Sequence, residues 1–201
     1  IIEETLKFIK ANQDIIVDLN KVPLNDPEAY ELLGQGETTG IFQLESSGMR
    51  RYIKELKPTT IFDLQAMVSL YRPGPMANIP EFIARKRNPS LITYPHPDLK
   101  DILKESYGVL TFQDDVLLTA IKLAGYSWLE ADMFRKAMGK KIPSDMKKQE
   151  ELFLAGCIKN GLTEKKAKEI YELIAPFAGY GFNKAHAACY ATIRSEERRV
   201  G

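Results

Sequence analysis

Residues 123–141 read LAGYSWLEADMFRKAMGKK, and their reading decides the fold. They join two expected helices, over residues 113–124 and 127–138, through a short turn. The second helix ends in four cations, Arg135, Lys136, Lys140 and Lys141, around a single glycine, Gly139. Read outward from this stretch in both directions, the chain continues as helices joined by short Gly/Pro turns. The expected class is mainly α, a multi-helix domain with at most one or two short strands.

Upstream, residues 1–14 carry the apolar period of an amphipathic helix (Ile1, Ile2, Leu6, Ile9). Asn25-Asp26-Pro27 supplies a cap and then proline at the first helical position, with Gly34 as the expected stop. Ile41 to Leu44 reads as a short extended piece. Ser46 or Ser47 opens a helix to Leu56 that Pro58 stops. Thr60 opens another through Tyr71, ended by Arg72-Pro73-Gly74-Pro75. Residues 80–87 form a short basic helix, 88–97 a loop and candidate sub-break, and 98–104 a further helix. Val109 to Phe112 is the best strand candidate. Downstream, helices are expected over 144–160 and 163–177, the latter started by Thr163. A turn at Gly179-Tyr180-Gly181 then leads into a last helix capped by Asn183.

Hydrophobic content of 44% is that of an ordinary soluble core. No run of about 18 apolar residues offers a membrane span. The opening IIEETLKFIK is acidic and amphipathic, unlike a signal peptide. Cys157 and Cys189 fall in helix-like segments, so a reduced, cytoplasmic compartment is expected. A formal net charge of +1 does not mark a nucleic-acid binder, but the charge is patterned. Between Arg135 and Lys148 the cations face one acid, Asp145, while Asp114, Asp115, Glu130 and Asp132 lie just upstream.

Two segments carry chemistry. Cations at a helix end suit a polyphosphate, although an isolated RKxxGKK more often complements the helix dipole and faces solvent. Residues 177–190, FAGYGFNKAHAACY, put an aromatic, glycine-spaced turn ahead of Asn183, Lys184, His186 and Tyr190. Aromatic rings and amides suit a base, and Gly179 with Gly181 permits close backbone approach. The plain alternative is a glycine turn packed on aromatics. Arg50, Arg51, Arg85, Lys86 and Arg87 read first as solvated faces. GQGETTG, residues 34–40, lacks the Lys-Ser/Thr of a phosphate loop and reads as a helix cap and turn. His186 and Cys189 have metal-like spacing without partners, so no metal site is expected. Asp114-Asp115 reads as decoration of a helix's first turn.

Residues 38–53 (TTGIFQLESSGMRRYI), 67–76 (MVSLYRPGPM) and 107–117 (YGVLTFQDDVL), taken in order with the two segments above, resemble the replicative C-family DNA polymerases of bacteria, of the DnaE type. The resemblance runs from about residue 23 to 193 and covers the fingers region of such an enzyme. It implies that Arg135, Lys136, Lys140 and Lys141 meet the triphosphate of the incoming nucleotide. Arg135 can fork onto two phosphate oxygens, whereas Lys136 stands where many relatives carry a second arginine and acts as a point charge. It also implies that Asn183 and Lys184 contact phosphate or primer–template, that His186 and Tyr190 line the nucleotide pocket, and that Arg72 contacts phosphate.

The family's catalytic aspartates hold two Mg²⁺ ions in a palm upstream of what corresponds to Ile1. The chain is therefore expected to bind without catalysing alone. Implied partners are primer–template DNA, deoxynucleoside triphosphates (dNTPs), a sliding clamp and its loader. The expected division is a residual helix over 1–22 at the palm–fingers junction, fingers over 23–193, and a non-native tail over 194–201. That tail, RSEERRVG, departs from the family pattern and resembles translated sequencing-adaptor sequence. Two alternatives stay open: a stand-alone, non-catalytic nucleic-acid-binding helical module, and an alpha-like paralogue for error-prone repair synthesis.

Overall fold

The computed structural model describes residues 2–18, 24–140, 142–178 and 181–200, without the side chains of 2, 176, 178 and 193–200. Among the described residues it consists of α-helices and short 3-10 turns, with no sheet. The mainly α expectation holds. The helices are α1 (Ile2–Gln13), α2 (Pro27–Gln35), α3 (Ser47–Leu56), α4 (Ile61–Leu70), α5 (Ile79–Arg87), α6 (Lys100–Leu103), α7 (Gln113–Ala124), α8 (Trp128–Lys140), α9 (Pro143–Lys159), α10 (Glu164–Ala178) and α11 (Lys184–Val200).

Helix α4 is the innermost element. Its sequence, IFDLQAMVSL, is apolar almost all round, which suits a helix covered on every side. Each of its residues except Phe62 is buried. Helix α11 packs along α4 and also meets α2, which packs on α3. Helices α7, α8, α9 and α10 pack on one another around aromatic rings. Phe134 of α8 stacks on Phe153 of α9 with centroids 5.6 Å apart. Tyr126 and Tyr171 make T-shaped contacts with Phe134 at 5.9 and 6.3 Å. The buried core runs continuously from Tyr30 on α2 to Ala191 on α11.

Several helix starts follow from local chemistry. Asp26 accepts hydrogen bonds from the N–H groups of Glu28 and Ala29, with Pro27 in the first turn. Thr60 and Asp63 form a reciprocal capping box for α4. Ser127 and Glu130 make the same exchange for α8, with the Ser127 N–H donating at 2.8 Å and the Glu130 N–H at 3.3 Å. The stop of α2 differs from expectation. Gly34 stays inside the helix, where a Cβ would lie 3.7 Å from the Lys57 Cα, and the chain turns at Gly36 with φ 78°. Gly36 donates to the Leu32 and Leu33 carbonyls from that left-handed conformation.

The strand expectations are not met. Ile41 to Leu44 is a turn closed by the Thr38 hydroxyl, which donates to the Leu44 carbonyl at 2.8 Å. Val109 to Phe112 contributes only one isolated parallel bridge, Phe112 with Phe182. Three apolar residues and a threonine have strand propensity, but no neighbouring segment offers a ladder. Residues 88–97 carry a 3-10 turn (Pro89–Leu91), and Arg85 ties them down by donating to the Thr93 carbonyl at 3.0 Å.

Buried charge is concentrated at two carboxylates. Asp63, with its side chain fully covered, pairs with Lys86 at 2.5 Å and accepts from the Tyr107 hydroxyl at 2.9 Å. Asp115, 2% exposed, accepts from the N–H groups of Thr111 and Phe112 at 2.9 and 2.8 Å, fixing the entry to α7. Burial pushes the Asp115 carboxyl up to about 6, against the opposing pull of those N–H groups and of Lys184. An unfolded aspartate titrates near 4. Because the folded value is the higher one, this group's contribution to stability is complete below about pH 4 and is lost as pH rises through about 6. Wild type should therefore gain up to about 3 kcal/mol over Asp115→Asn between pH 7 and 4 in paired urea titrations. A gap that narrows or stays constant on acidification would contradict this.

Candidate functional site

The two segments singled out in the sequence meet at Gln113, the first residue of α7. Its N–H donates to the Phe182 carbonyl at 3.0 Å. Its side-chain oxygen lies 3.4 Å from a terminal guanidinium nitrogen of Arg135. A Cβ on Gly181 would sit 2.7 Å from the Gln113 Cα, so this close approach requires glycine. Gly179, Tyr180 and Lys141 lie outside the described residues, and nothing is assigned to them structurally.

The α8 cations are arranged around Asp132. Arg135 donates to its Oδ1 through Nε at 3.2 Å and through a terminal nitrogen at 2.8 Å. Lys136 Nζ lies 2.6 Å from the other oxygen, Oδ2. Hydrogen bonds from Lys136, then from Arg135, hold the Asp132 carboxyl below the usual carboxylate range. Lys140 is exposed one turn further on, beside Gly139, around which there is open space. The phenylalanine before Arg135 is the fully buried Phe134, so aromatic packing of α8 sets where the guanidinium points.

Helix α11 begins as expected. Asn183 accepts from the His186 N–H at 2.8 Å and caps the helix. Its first turn is already occupied by acids. The Lys184 N–H donates to Asp114 at 2.9 Å, and Lys184 Nζ to Glu105 at 2.7 Å. Asp114 is thus a tie between helices rather than a decoration. A row of rings runs from Phe182, just before the cap, along α11 to Phe42. Phe182 and His186 lie 5.3 Å apart, His186 and Tyr190 4.5 Å, and Tyr190 stacks on Phe42 at 5.4 Å. The Arg72 guanidinium sits over the Phe182 ring at 4.7 Å and donates through Nε to the Ser69 carbonyl at 3.0 Å. Half-burial lowers its proton affinity without bringing it near neutrality.

The structure therefore gathers Arg72, Arg135, Lys136, Asn183, Lys184, His186 and Tyr190 around the α7–α8–α11 junction and the ring row beside it. The other basic clusters are largely tied into the fold, apart from Arg51, whose side chain stays 68% exposed. Arg85 bonds the Thr93 and Tyr107 carbonyls, Lys86 bonds Asp63, Arg87 bonds the Glu55 carbonyl, and Arg50 bonds Thr39. Sequence reading missed Gln113, Glu105 and Phe42, which reach the site only through tertiary contact. It noted Asp132 without pairing it, although spacings of three and four residues on a helix carry that signal. Cys157 is buried and Cys189 exposed, both as free thiols. No three His, Cys, Asp or Glu side chains among the described residues converge as metal ligands. No helix among them is long and apolar enough to cross a membrane.

Fold and site together define a helical domain that sets cations beside a row of rings. Comparison with known proteins narrows the class. The family model of the bacterial DNA polymerase III alpha subunit finger domain matches residues 1–161. DNA polymerase III subunit alpha of Halalkalibacterium halodurans is 45% identical over 96% of this chain and 17% of its own length. That of Bacillus subtilis is 43% identical over 96% and 17%, and that of Staphylococcus aureus strain COL 45% over 96% and 18%. The chain belongs to the family of bacterial DNA polymerase III alpha subunit finger domains. It spans less than a fifth of the length of these curated relatives.

Proposed function

We propose that this chain is the nucleotide-handling fingers part of a replicative DNA polymerase that adds a deoxynucleotide to a primer 3′ end and releases pyrophosphate. The observation that carries the reading is the junction at Gln113, which brings the α8 cations to the start of α11 and its ring row. Arg135, Lys136, Lys140 and Lys141 neutralise the incoming triphosphate, with Arg135 forking onto phosphate oxygens. Phe182, His186 and Tyr190, with Arg72 at one end, offer stacking faces to the base and the primer–template. Asn183 and Lys184 lie on the phosphate side. Closure of the fingers on the correct pair contributes to selection.

Two Mg²⁺ ions are the cofactor of the intact enzyme in this reading. In this reading the ions are held by palm aspartates of the longer polymerase, while Asp114, Asp115 and Asp132 serve as structural partners of Lys184, of the α7 entry and of the α8 cations. Primer–template DNA, dNTPs, a sliding clamp and its loader are the partners of the intact protein, in the cytoplasm, and the chain alone binds without catalysing.

Primer extension by the longer polymerase that carries this segment tests the reading. Arg135→Ala should raise the KM for dNTP about ten- to hundredfold, the range of a charge-assisted hydrogen bond, while DNA affinity changes little. An unchanged KM would contradict the assignment.

A further inference from the structure

Each oxygen of the Asp132 carboxylate takes one cation. Oδ1 receives two nitrogens of Arg135, at 3.2 and 2.8 Å, and Oδ2 receives Lys136 Nζ at 2.6 Å. Two acceptor oxygens on one small anion, met by a guanidinium and an ammonium, are also what a phosphate group presents. The Asp132 side chain is 35% exposed and the Lys136 side chain 62% exposed, so water screens these pairs and each is readily broken. Arg135 is held from its other side by the Gln113 oxygen at 3.4 Å, so its orientation does not depend on Asp132 alone.

Resting on the triphosphate reading above, we propose that Asp132 is a positioning residue that stands in for phosphate. It keeps Arg135 and Lys136 aimed and neutralised until a polyphosphate displaces it. Lys140 lies four residues beyond Lys136 on the same helix face, and the positions three and four before it are Ala137 and Lys136, so no carboxylate faces it from those places. It supplies the exposed charge on which an arriving polyphosphate first lands. Exchange then follows as Arg135 and Lys136 turn from carboxylate to phosphate oxygens. The displaced carboxylate remains within a few ångströms of the ligand, and like charges that close repel even in a wet setting. Asp132 therefore weakens polyphosphate binding and keeps the α8 cations from capturing anions indiscriminately.

Calorimetric titration of the 201-residue chain with inorganic tripolyphosphate at low salt tests this, with circular dichroism confirming that each variant keeps its helices. Asp132→Asn should tighten binding about three- to tenfold and steepen its dependence on KCl, because two more cations become available to the ligand. Asp132→Ser should do the same, and Asp132→Glu should restore the weaker, flatter behaviour. Arg135→Ala should weaken binding in every background. If Arg135→Ala weakens binding while Asp132→Asn and Asp132→Ser leave it unchanged or weaker, the stand-in role is overturned and the triphosphate reading survives. If Arg135→Ala changes nothing either, the triphosphate reading falls, and the role of Asp132 with it.

Discussion

Asp63→Ala lowers the unfolding free energy by about 3–5 kcal/mol, read from urea midpoints of the 201-residue chain. The carboxylate is fully buried between α4 and α5 and takes four strong partners. The N–H groups of Thr59 and Thr60 donate at 2.9 and 3.1 Å, Lys86 Nζ at 2.5 Å and the Tyr107 hydroxyl at 2.9 Å. Losing the capping box accounts for about 1 kcal/mol of the effect. Most of the rest comes from Lys86, whose side chain is 11% exposed and would keep a charge with no counter-ion. A buried ion pair is weak evidence for stability in itself, but breaking it from one side is costly. Asp63→Ala combined with Lys86→Met should consequently be more stable than Asp63→Ala alone. A double variant less stable than the single one would show that the penalty lies elsewhere.

Phe134→Ala should cost a further about 3–5 kcal/mol, the range for emptying a phenylalanine site in a packed core. Phe134 is fully buried between Phe153, Tyr126 and Tyr171, which belong to α9, the turn before α8, and α10. Their rings are stiff and lie on separate elements, so the cavity cannot close by a rotamer change. The same substitution loosens the base of Arg135, the next residue on α8. Phe134→Leu, which refills most of the volume, should recover most of the loss in the same urea series. Equal stability of wild type and Phe134→Ala would mean that the rings do not hold α8 in place.

Local chemistry made much of the fold legible. Asp26-Pro27, Thr60 and Asn183 cap helices where their residue types say they should. Helix α4 was legible from its Thr60 start and its Pro-Gly-Pro stop, whereas its burial on nearly every side became visible only in the fold. The strand at Val109 to Phe112 was misread because propensity says nothing about partners: Phe112 finds one bridge, to Phe182, in place of a ladder. The stop at Gly34 was misread because two glycines compete there. Gly36 adopts φ 78°, while Gly34 faces the end of α3.

The site was legible as residue types and partly as positions. Arg135, Lys136, Lys140, Asn183, Lys184, His186 and Tyr190 could be named because their segments concentrate charge, glycine and rings. Their partners could not. Glu105 lies 79 residues from Lys184, and Phe42 reaches Tyr190 only because α11 packs across α4 and α2. The cations of α8 looked unencumbered in the sequence, whereas the structure pairs two of them with Asp132. Counting cations on a helix end thus overstates the charge available to a ligand unless the acids three and four residues away are counted too.

Amide chemical-shift mapping of the ¹⁵N-labelled chain, titrated with a dNTP, bears most directly on the shared site of α8 and α11. Shifts should concentrate at Arg135, Lys136, Lys140, Gln113, Phe182, His186 and Tyr190 and saturate together with one dissociation constant. Shifts confined to the 620 Å³ cleft lined by Asn78, Tyr94, Leu110, Ile170 and Leu173, or no saturable shifts at the α7–α8–α11 junction, would contradict nucleotide binding there.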